Sequence, residues 1–359
     1  LFLAAANSTV FQARFLLIEG LAMKKKIFVD MATYEPALAK LRGMPEIELD
    51  IVPTWDEAGK YFPKERIQDV DILFCTRVPI NFSDMEKLKL IQISSAGYSQ
   101  LFGLGLVEKG IRACNARGVF DIPIAEWVIA MIINCARDIR GMIRNQEHGI
   151  WDPAAQYQRE VRGAVVGFWG YGGIARESAR LAKALGMKVH VLVPAGIKRR
   201  DNIYCVPGTG DPEGKLPDKV FTPAQKMEFL SGLDFLVLAM TLNKQTEGII
   251  GQQELAVLPK GACLLNPARG PLVKEEALLD ALRKGHLGAA ALDTHYYYPM
   301  PADHPLWRFP NVIMTPHISG GALTTHFLDR LWDIFSQNVE RFLKGRTLIN
   351  ELTTEQLAG

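Results

Sequence analysis

Residues 166–175 read Val-Gly-Phe-Trp-Gly-Tyr-Gly-Gly-Ile-Ala. Gly170, Gly172 and Ala175 fit the spacing G-x-G-x-x-G/A between an apolar run and a helical stretch. Gly170 permits a tight turn, Gly172 lets the backbone approach a pyrophosphate, and Ala175 keeps the helix close to a sheet. Free N–H groups at the helix start suit phosphate. The whole turn, Gly170, Tyr171, Gly172, Gly173, Ile174 and Ala175, is therefore expected to face a dinucleotide. The next apolar run ends at Val193, where an acid usually receives the adenosine ribose. A valine neither accepts from a ribose hydroxyl nor repels a 2′-phosphate. Lys198, Arg199 and Arg200 follow and could hold such a phosphate. They also fit a plain solvated loop. The expected cofactor is NAD or NADP, with NADP favoured.

The elements that must carry this turn are legible as alternation. Short apolar runs at 25–30, 47–52, 71–76, 90–95 and 111–116 precede a second set at 164–170, 188–193, 234–240, 262–268, 288–294 and 311–317. Most are continuously apolar, as strands buried on both faces of a parallel sheet are. Helical stretches separate them, which implies a doubly wound α/β fold. Eleven strands overfill one ordinary sheet, so two parallel-sheet domains are expected. The divide falls near Asp121, a candidate N-cap for a long helix over about 122–145. That helix is apolar nearly all round at 127–133 and should be buried, between the domains. Residues 323–344 show helical periodicity and could pack back on the first domain. Residues 195–219, rich in Gly, Pro and charge, are expected to form an exposed insertion.

The whole composition agrees with a globular protein. The chain has 359 residues, 48% hydrophobic and 22% charged, which excludes wholesale disorder. With 41 basic and 39 acidic residues the net charge is +2, which argues against a nucleic-acid protein relying on a basic field. No run reaches the roughly 18 apolar residues of a membrane span. Five separated cysteines, without a CxxC pair, fit buried free thiols and a cytoplasmic location. Residues 1–22 lie ahead of the first strand and are set aside as an N-terminal extension.

Three further segments carry a family resemblance. Residues 264–272 read Leu-Leu-Asn-Pro-Ala-Arg-Gly-Pro-Leu. Residues 288–301 read Gly-Ala-Ala-Ala-Leu-Asp-Thr-His-Tyr-Tyr-Tyr-Pro-Met-Pro, and 311–320 read Asn-Val-Ile-Met-Thr-Pro-His-Ile-Ser-Gly. With Ser94-Ser95-Ala96-Gly97 and the glycine-rich turn, this order resembles the D-isomer-specific 2-hydroxyacid dehydrogenases. The resemblance runs from about Met23 to Arg346. It implies a flavodoxin-like substrate domain over 23–121, a Rossmann cofactor domain over 122–316 and a C-terminal segment over 317–359 that returns to the substrate domain. It implies an oxidoreductase that interconverts a 2-keto acid and a D-2-hydroxy acid.

The resemblance also assigns roles. Arg269 would pair with the substrate carboxylate and keto oxygen, a task suited to a planar guanidinium. His317 would be the general acid/base. Ser95, Ala96 and Gly97 would hold the substrate carboxylate, with Arg77 expected beside it. Thr246, Ala268, Asp293 and Gly320 would border the cofactor. No metal is implied. A homodimer is, with Trp127, Ile150 and Trp151 as apolar contact residues. Closure over substrate is expected, with hinges near 116–121 and 315–320.

One departure stands out. The family usually has Glu before the first Pro of a Glu-Pro-Leu-Pro stretch, and that Glu bonds the catalytic His. Here the residue is Tyr298, which can offer one neutral hydrogen bond, and the nearest later acid is Asp303. Formate oxidation is disfavoured because Phe120 stands where such enzymes have Asn. Two other functions remain open from sequence. One is a dehydrogenase of an atypical carbonyl substrate, lined by Tyr98, Phe120 and Tyr296 to Tyr298. The other is a dinucleotide-sensing, corepressor-like module.

Overall fold

The computed structural model describes residues 24–53, 59–153, 158–321 and 324–358. The expected N-terminal extension lies outside the described residues. The strands are β1 (Lys25–Asp30), β2 (Ile47–Val52), β3 (Ile72–Cys75), β4 (Leu90–Ile93), β5 (Arg112–Cys114), β6 (Val165–Trp169), β7 (Lys188–Leu192), β8 (Lys219–Phe221), β9 (Phe235–Leu238), β10 (Cys263–Asn266), β11 (Ala289–Leu292) and β12 (Val312–Met314). Five helices matter for the site: α1 (Asp121–Arg137), α2 (Ile139–Glu147), α3 (Gly173–Ala184), α4 (Glu275–Arg283) and α5 (Thr325–Leu343).

The chain divides into two compact units. The first comprises residues up to Ala116 together with Leu328–Gly359. The second is Arg117–Phe327. These divisions fall at 116/117 and 327/328 rather than at Asp121 and His317.

In the first unit five parallel strands lie in the order β2-β1-β3-β4-β5. This is the flavodoxin-like order, with its switch point between β1 and β3. The strands read as apolar because they are covered on both faces: all four residues of β3 and of β4 are buried. Helix α5 supplies one cover. Its Phe335 stacks on Phe74 at 4.2 Å, and Trp332 meets Phe74 edge-on at 5.1 Å. A buried polar seam fixes the register of that packing. Asn338 Nδ2 donates to Gln92 Oε1 at 2.9 Å, and the Ile349 N–H donates to Asn338 Oδ1 at 2.8 Å. Breaking either would leave a buried group unsatisfied, at about 1–3 kcal/mol.

In the second unit seven parallel strands lie in the order β12-β11-β10-β9-β6-β7-β8. The order reverses at β6, which pairs with both β7 and β9. Ligands of such sheets bind where the order reverses, beyond the carboxyl ends of the strands. Gly170 sits there.

Four expectations need correction. The long helix is broken: Asp138 adopts φ 46°, ends α1, and caps α2 by accepting from the Gly141 N–H at 3.2 Å. Asp121 is not an N-cap but the first residue of α1, whose cap Phe120 makes no side-chain bond. Residues 195–219 are not simply an exposed insertion. Tyr204 and Asp211 are buried, and Lys219 opens strand β8. The cysteines carry no disulfide. Cys75, Cys114 and Cys263 are buried, whereas Cys205 is exposed.

Candidate active site

The glycine-rich turn has the backbone its residue types suggest. Gly170 holds φ 97°, and a Cβ there would lie 2.6 Å from the Ala239 carbonyl oxygen at the end of β9. Only glycine tolerates both conditions. A Cβ on Gly172 would meet nothing within 4 Å, so the turn is open on the side a pyrophosphate would approach. Gly172 caps α3, Gly173 begins it, Ile174 is half-buried, and Ala175 is fully buried against the sheet. The residues present therefore fit a dinucleotide.

Beside the turn lies a cleft of about 460 Å³, lined among others by Arg117, Val193, Lys198, Arg199 and Arg200. The segment after β7 is folded onto α3 to form it. Arg176 does the folding: its Nη2 donates to the Lys198 carbonyl at 2.5 Å, and its Nη1 donates to the Asp211 carbonyl. Asp211 in turn accepts from the Tyr171 hydroxyl at 2.7 Å and from the Lys215 and Leu216 amides at 2.9 Å each. Burial alone would raise the Asp211 carboxyl. Those amides, the tyrosine hydroxyl and Arg176 outweigh it and hold the group below its usual range. Tyr171 is pushed up, first by burial and then by Asp211.

The basic residues are not equivalent. Arg199 is exposed and pairs with Asp201 at 2.9 Å and Glu213 at 3.3 Å. Arg200 is largely buried and pairs with Asp121 at 3.0 Å. Burial raises the Asp121 carboxyl, against the pull of Arg200 and Arg117. A Cβ on Gly173 would lie 1.7 Å from Asp121 Oδ2, so this glycine makes room for the pair. Val193 is buried, with its N–H bound to the Phe221 carbonyl at 3.0 Å.

Three loops at the carboxyl ends of adjacent strands carry Arg269, Asp293 and His317. After β10, the buried Asn266 builds the first. Its Oδ1 accepts from the Ala268 and Arg269 amides at 3.1 and 3.2 Å, and its Nδ2 donates to the Arg269 carbonyl at 2.8 Å. The loop is fixed while the Arg269 side chain stays exposed. Sequence reasoning did not single out Asn266, although an Asn two or three residues ahead of an exposed loop is the usual builder of such a turn.

After β11, Asp293 is fully buried. It accepts from the Thr315 hydroxyl at 2.6 Å, the Ile318 N–H at 2.9 Å, the Ser319 N–H at 3.1 Å and the Ser319 hydroxyl. Both its oxygens thus hold the third loop, which follows β12 and carries His317. His317 is exposed at φ 57°, a left-handed conformation that non-glycine residues seldom adopt without local support. Trp127 adds to that support by donating from Nε1 to Thr315 Oγ1 at 3.1 Å. The expected hinge at 315–320 is thus pinned inside the second unit. Gly320 lies under Phe120, whose ring would be 3.1 Å from a Cβ there.

Tyr298 does neighbour His317: the ring centroids are 5.7 Å apart. Its hydroxyl accepts from the His295 N–H at 3.1 Å. Tyr296 and Tyr297 point elsewhere, to the Val273 carbonyl at 3.1 Å and to Glu275 at 3.4 Å. Asp303 is exposed. Thr246 turns its hydroxyl into its own loop, donating to the Thr241 carbonyl at 2.7 Å. Among the described residues no His, Cys, Asp and Glu group could hold a metal ion.

In the first unit, Arg77 follows β3 and is exposed, and residues 95–97 follow β4. Ser95 Oγ donates to the Gly97 carbonyl at 2.7 Å and accepts from Gln100 at 2.8 Å. Asn115 Nδ2 holds the Ala96 carbonyl at 2.8 Å. With that carbonyl held, Ala96 and Gly97 form an exposed, braced tip.

Comparison with known proteins agrees with this arrangement. Residues 129–319 match the D-isomer specific 2-hydroxyacid dehydrogenase, NAD binding domain family. A Haemophilus influenzae protein named for 2-hydroxyacid dehydrogenase activity is 33% identical over 296 residues, 78% of this chain and 86% of its own. A glyoxylate reductase of Korarchaeum cryptofilum is 29% identical over 92% of this chain and 97% of its own. The crystal structure of a family member from Aeromonas salmonicida superposes with a TM-score of 0.74 at 24% identity, covering 92% of this chain and 99% of that one. The chain belongs to the D-isomer-specific 2-hydroxyacid dehydrogenases, oxidoreductases that interconvert 2-keto and 2-hydroxy acids with a nicotinamide dinucleotide.

Proposed function

We propose that this enzyme works as a reductase of small 2-keto acids, giving the D-2-hydroxy acid, with NADPH as the preferred cofactor. The bound dinucleotide supplies the hydride. Gly170 to Ala175 hold its pyrophosphate against the start of α3. Thr246, Ala268, Asp293 and Gly320 border it. Val193 leaves the ribose edge without a repelling acid, and Lys198 and Arg199 face the 2′-phosphate.

Arg269 pairs with the substrate carboxylate and stabilises charge developing on the keto oxygen. His317 gives that oxygen its proton. Tyr298 packs beside the imidazole. In the first unit, Arg77 and the amides of Ser95, Ala96 and Gly97 are the candidate groups for a substrate carboxylate. What carries the reading is that Arg269 and His317 stand on braced loops after β10 and β12, with β11 and its Asp293 between them.

A homodimer in the cytoplasm completes the proposal. Trp151 is 91% exposed, Ile150 55% and Ile143 50%, which is apolar surface suited to a second copy. Trp127 is excluded from that role by its inward bond to Thr315. Light scattering at micromolar concentration tests the dimer, and a monomer refutes it.

Steady-state assays with glyoxylate, hydroxypyruvate, pyruvate and phenylpyruvate, each with NADPH and NADH, test the catalytic reading. Turnover of a keto acid to the D product supports it. No turnover of any of them at high enzyme would favour a cofactor-sensing role.

A further inference from the structure

His295 lies outside every role assigned above, yet it touches all three catalytic loops. The residue is 7% exposed. Its Nε2 lies 2.8 Å from the Thr315 carbonyl oxygen, two residues before His317. A carbonyl only accepts, so Nε2 carries a proton and is the donor. Nδ1 is buried and has no hydrogen-bond partner among the described residues. The backbone of the same residue acts too. Its N–H donates to the Tyr298 hydroxyl, whose ring packs on His317. Its carbonyl is pressed against Gly270, where a Cβ would lie 2.5 Å from the His295 oxygen. Gly270 directly follows Arg269.

A buried imidazole with one satisfied nitrogen and one orphan is an expensive way to fill space. Phenylalanine would fill the same volume without burying a polar atom. What phenylalanine lacks is the donor to Thr315. That donor acts on the strand end that leads into the left-handed backbone of His317, a conformation that persists only where its surroundings enforce it. Asp293 holds the loop from the far side, through Ile318 and Ser319. His295 holds it from the near side.

We propose that His295 is a positioning residue that keeps the Arg269 and His317 loops in register, so that guanidinium and imidazole address one carbonyl group. The proposal rests on the acid–base reading of His317. It does not make His295 a proton donor to substrate.

The test is steady-state reduction by His295→Phe and His295→Gln, with NADPH binding followed by fluorescence and folding by near-ultraviolet circular dichroism. Misplacing a reacting group by an ångström costs on the order of a hundredfold in rate. Kcat of His295→Phe should therefore fall roughly ten- to a hundredfold, while the NADPH Kd and the keto-acid KM stay within about twofold. His295→Gln, which keeps an N–H donor, should recover part of the loss. Unchanged kcat in His295→Phe overturns the proposal. So does a joint collapse of kcat, KM and Kd without rescue by Gln, because that marks general damage.

If only His295→Gln folds, its kcat must still fall by at least about threefold with KM and Kd unchanged, because the amide restores the donor only in part. A wild-type kcat in that variant, or failure of both variants to fold, assigns His295 to stability alone. His317→Ala is run alongside. Its inactivity beside an active His295→Phe overturns this proposal only, whereas activity in both overturns the acid–base assignment of His317 as well.

Discussion

The imidazole of His317 lies against the ring of Tyr298, with centroids 5.7 Å apart and planes inclined at 55°. The resemblance implies a carboxylate beside the imidazole in most of the family; here the neighbour is an aromatic ring whose hydroxyl accepts from the His295 N–H. Tyr298 can confine the imidazole but adds no charge to favour its protonated form.

The replacement has a testable sign. A carboxylate beside an imidazole favours the imidazolium and raises its pKa. Reduction needs that imidazolium, so Tyr298→Glu should extend the reductive rate to higher pH, by about one unit, or roughly 1.4 kcal/mol. Tyr298→Phe loses only the bond from His295 and should lower kcat by less than about tenfold. The kcat profile between pH 5 and 9 checks both. An unmoved limb in an active Tyr298→Glu enzyme would mean that the contact has no electrostatic consequence.

Asp293 should matter more to the loop than its distance from substrate suggests. Asn in its place can accept at one atom only and turns an NH₂ toward a donor. Asp293→Asn should cost about 2–4 kcal/mol of stability in urea unfolding, as the loss of several bonds to a buried charged group does. It should also lower kcat. A variant as stable as the wild type would contradict the clamp.

Much of this was legible in advance, for a physical reason. Runs such as Leu90–Ile93 and Phe235–Leu238 are buried on both faces, so they announce themselves by continuous apolarity. The glycine-rich turn is legible because Gly170 answers a local backbone demand. Strand β8 was not, since two of its three residues are exposed at the sheet edge. The break at Asp138 hid because neither Gly nor Pro marks it. Asn266 left a local signal, an Asn two and three residues ahead of its partners Ala268 and Arg269. Asp211 and His295 were invisible for another reason: their partners are supplied by the fold, as Tyr171 is for Asp211 and Thr315 for His295.

Asp211 supplies a pH dependence. Its carboxyl is held below the usual range in the folded protein, so it contributes stability above the unfolded pKa of about 3.9. That contribution is lost as pH falls through the lower folded value. Asp211→Asn should therefore destabilise the protein at pH 7 by about 1–3 kcal/mol and flatten the acid limb below about pH 4. Urea melts at pH 3, 4, 5 and 7 measure it. Equal losses at pH 3 and pH 7 would contradict the assignment.

Cofactor choice should follow the basic cleft. Replacing Lys198 and Arg199 together by Ala should weaken NADPH binding by about tenfold, or roughly 1.4 kcal/mol. NADH, which has no 2′-phosphate, should change by less than about twofold. Fluorescence titration of both cofactors decides this. Equal losses for the two would show that these side chains serve only the loop.

If Arg269 and His317 perform the chemistry on a 2-keto acid, neither can be replaced without loss of turnover. The rate of NADPH oxidation with hydroxypyruvate by the wild type, Arg269→Ala and His317→Ala, with NADPH affinity determined for each, measures this directly. Each substitution should lower kcat by a factor on the order of 10² to 10⁴ while the NADPH Kd stays within about twofold. Either variant turning over within about tenfold of the wild type, with its cofactor bound normally, would contradict it.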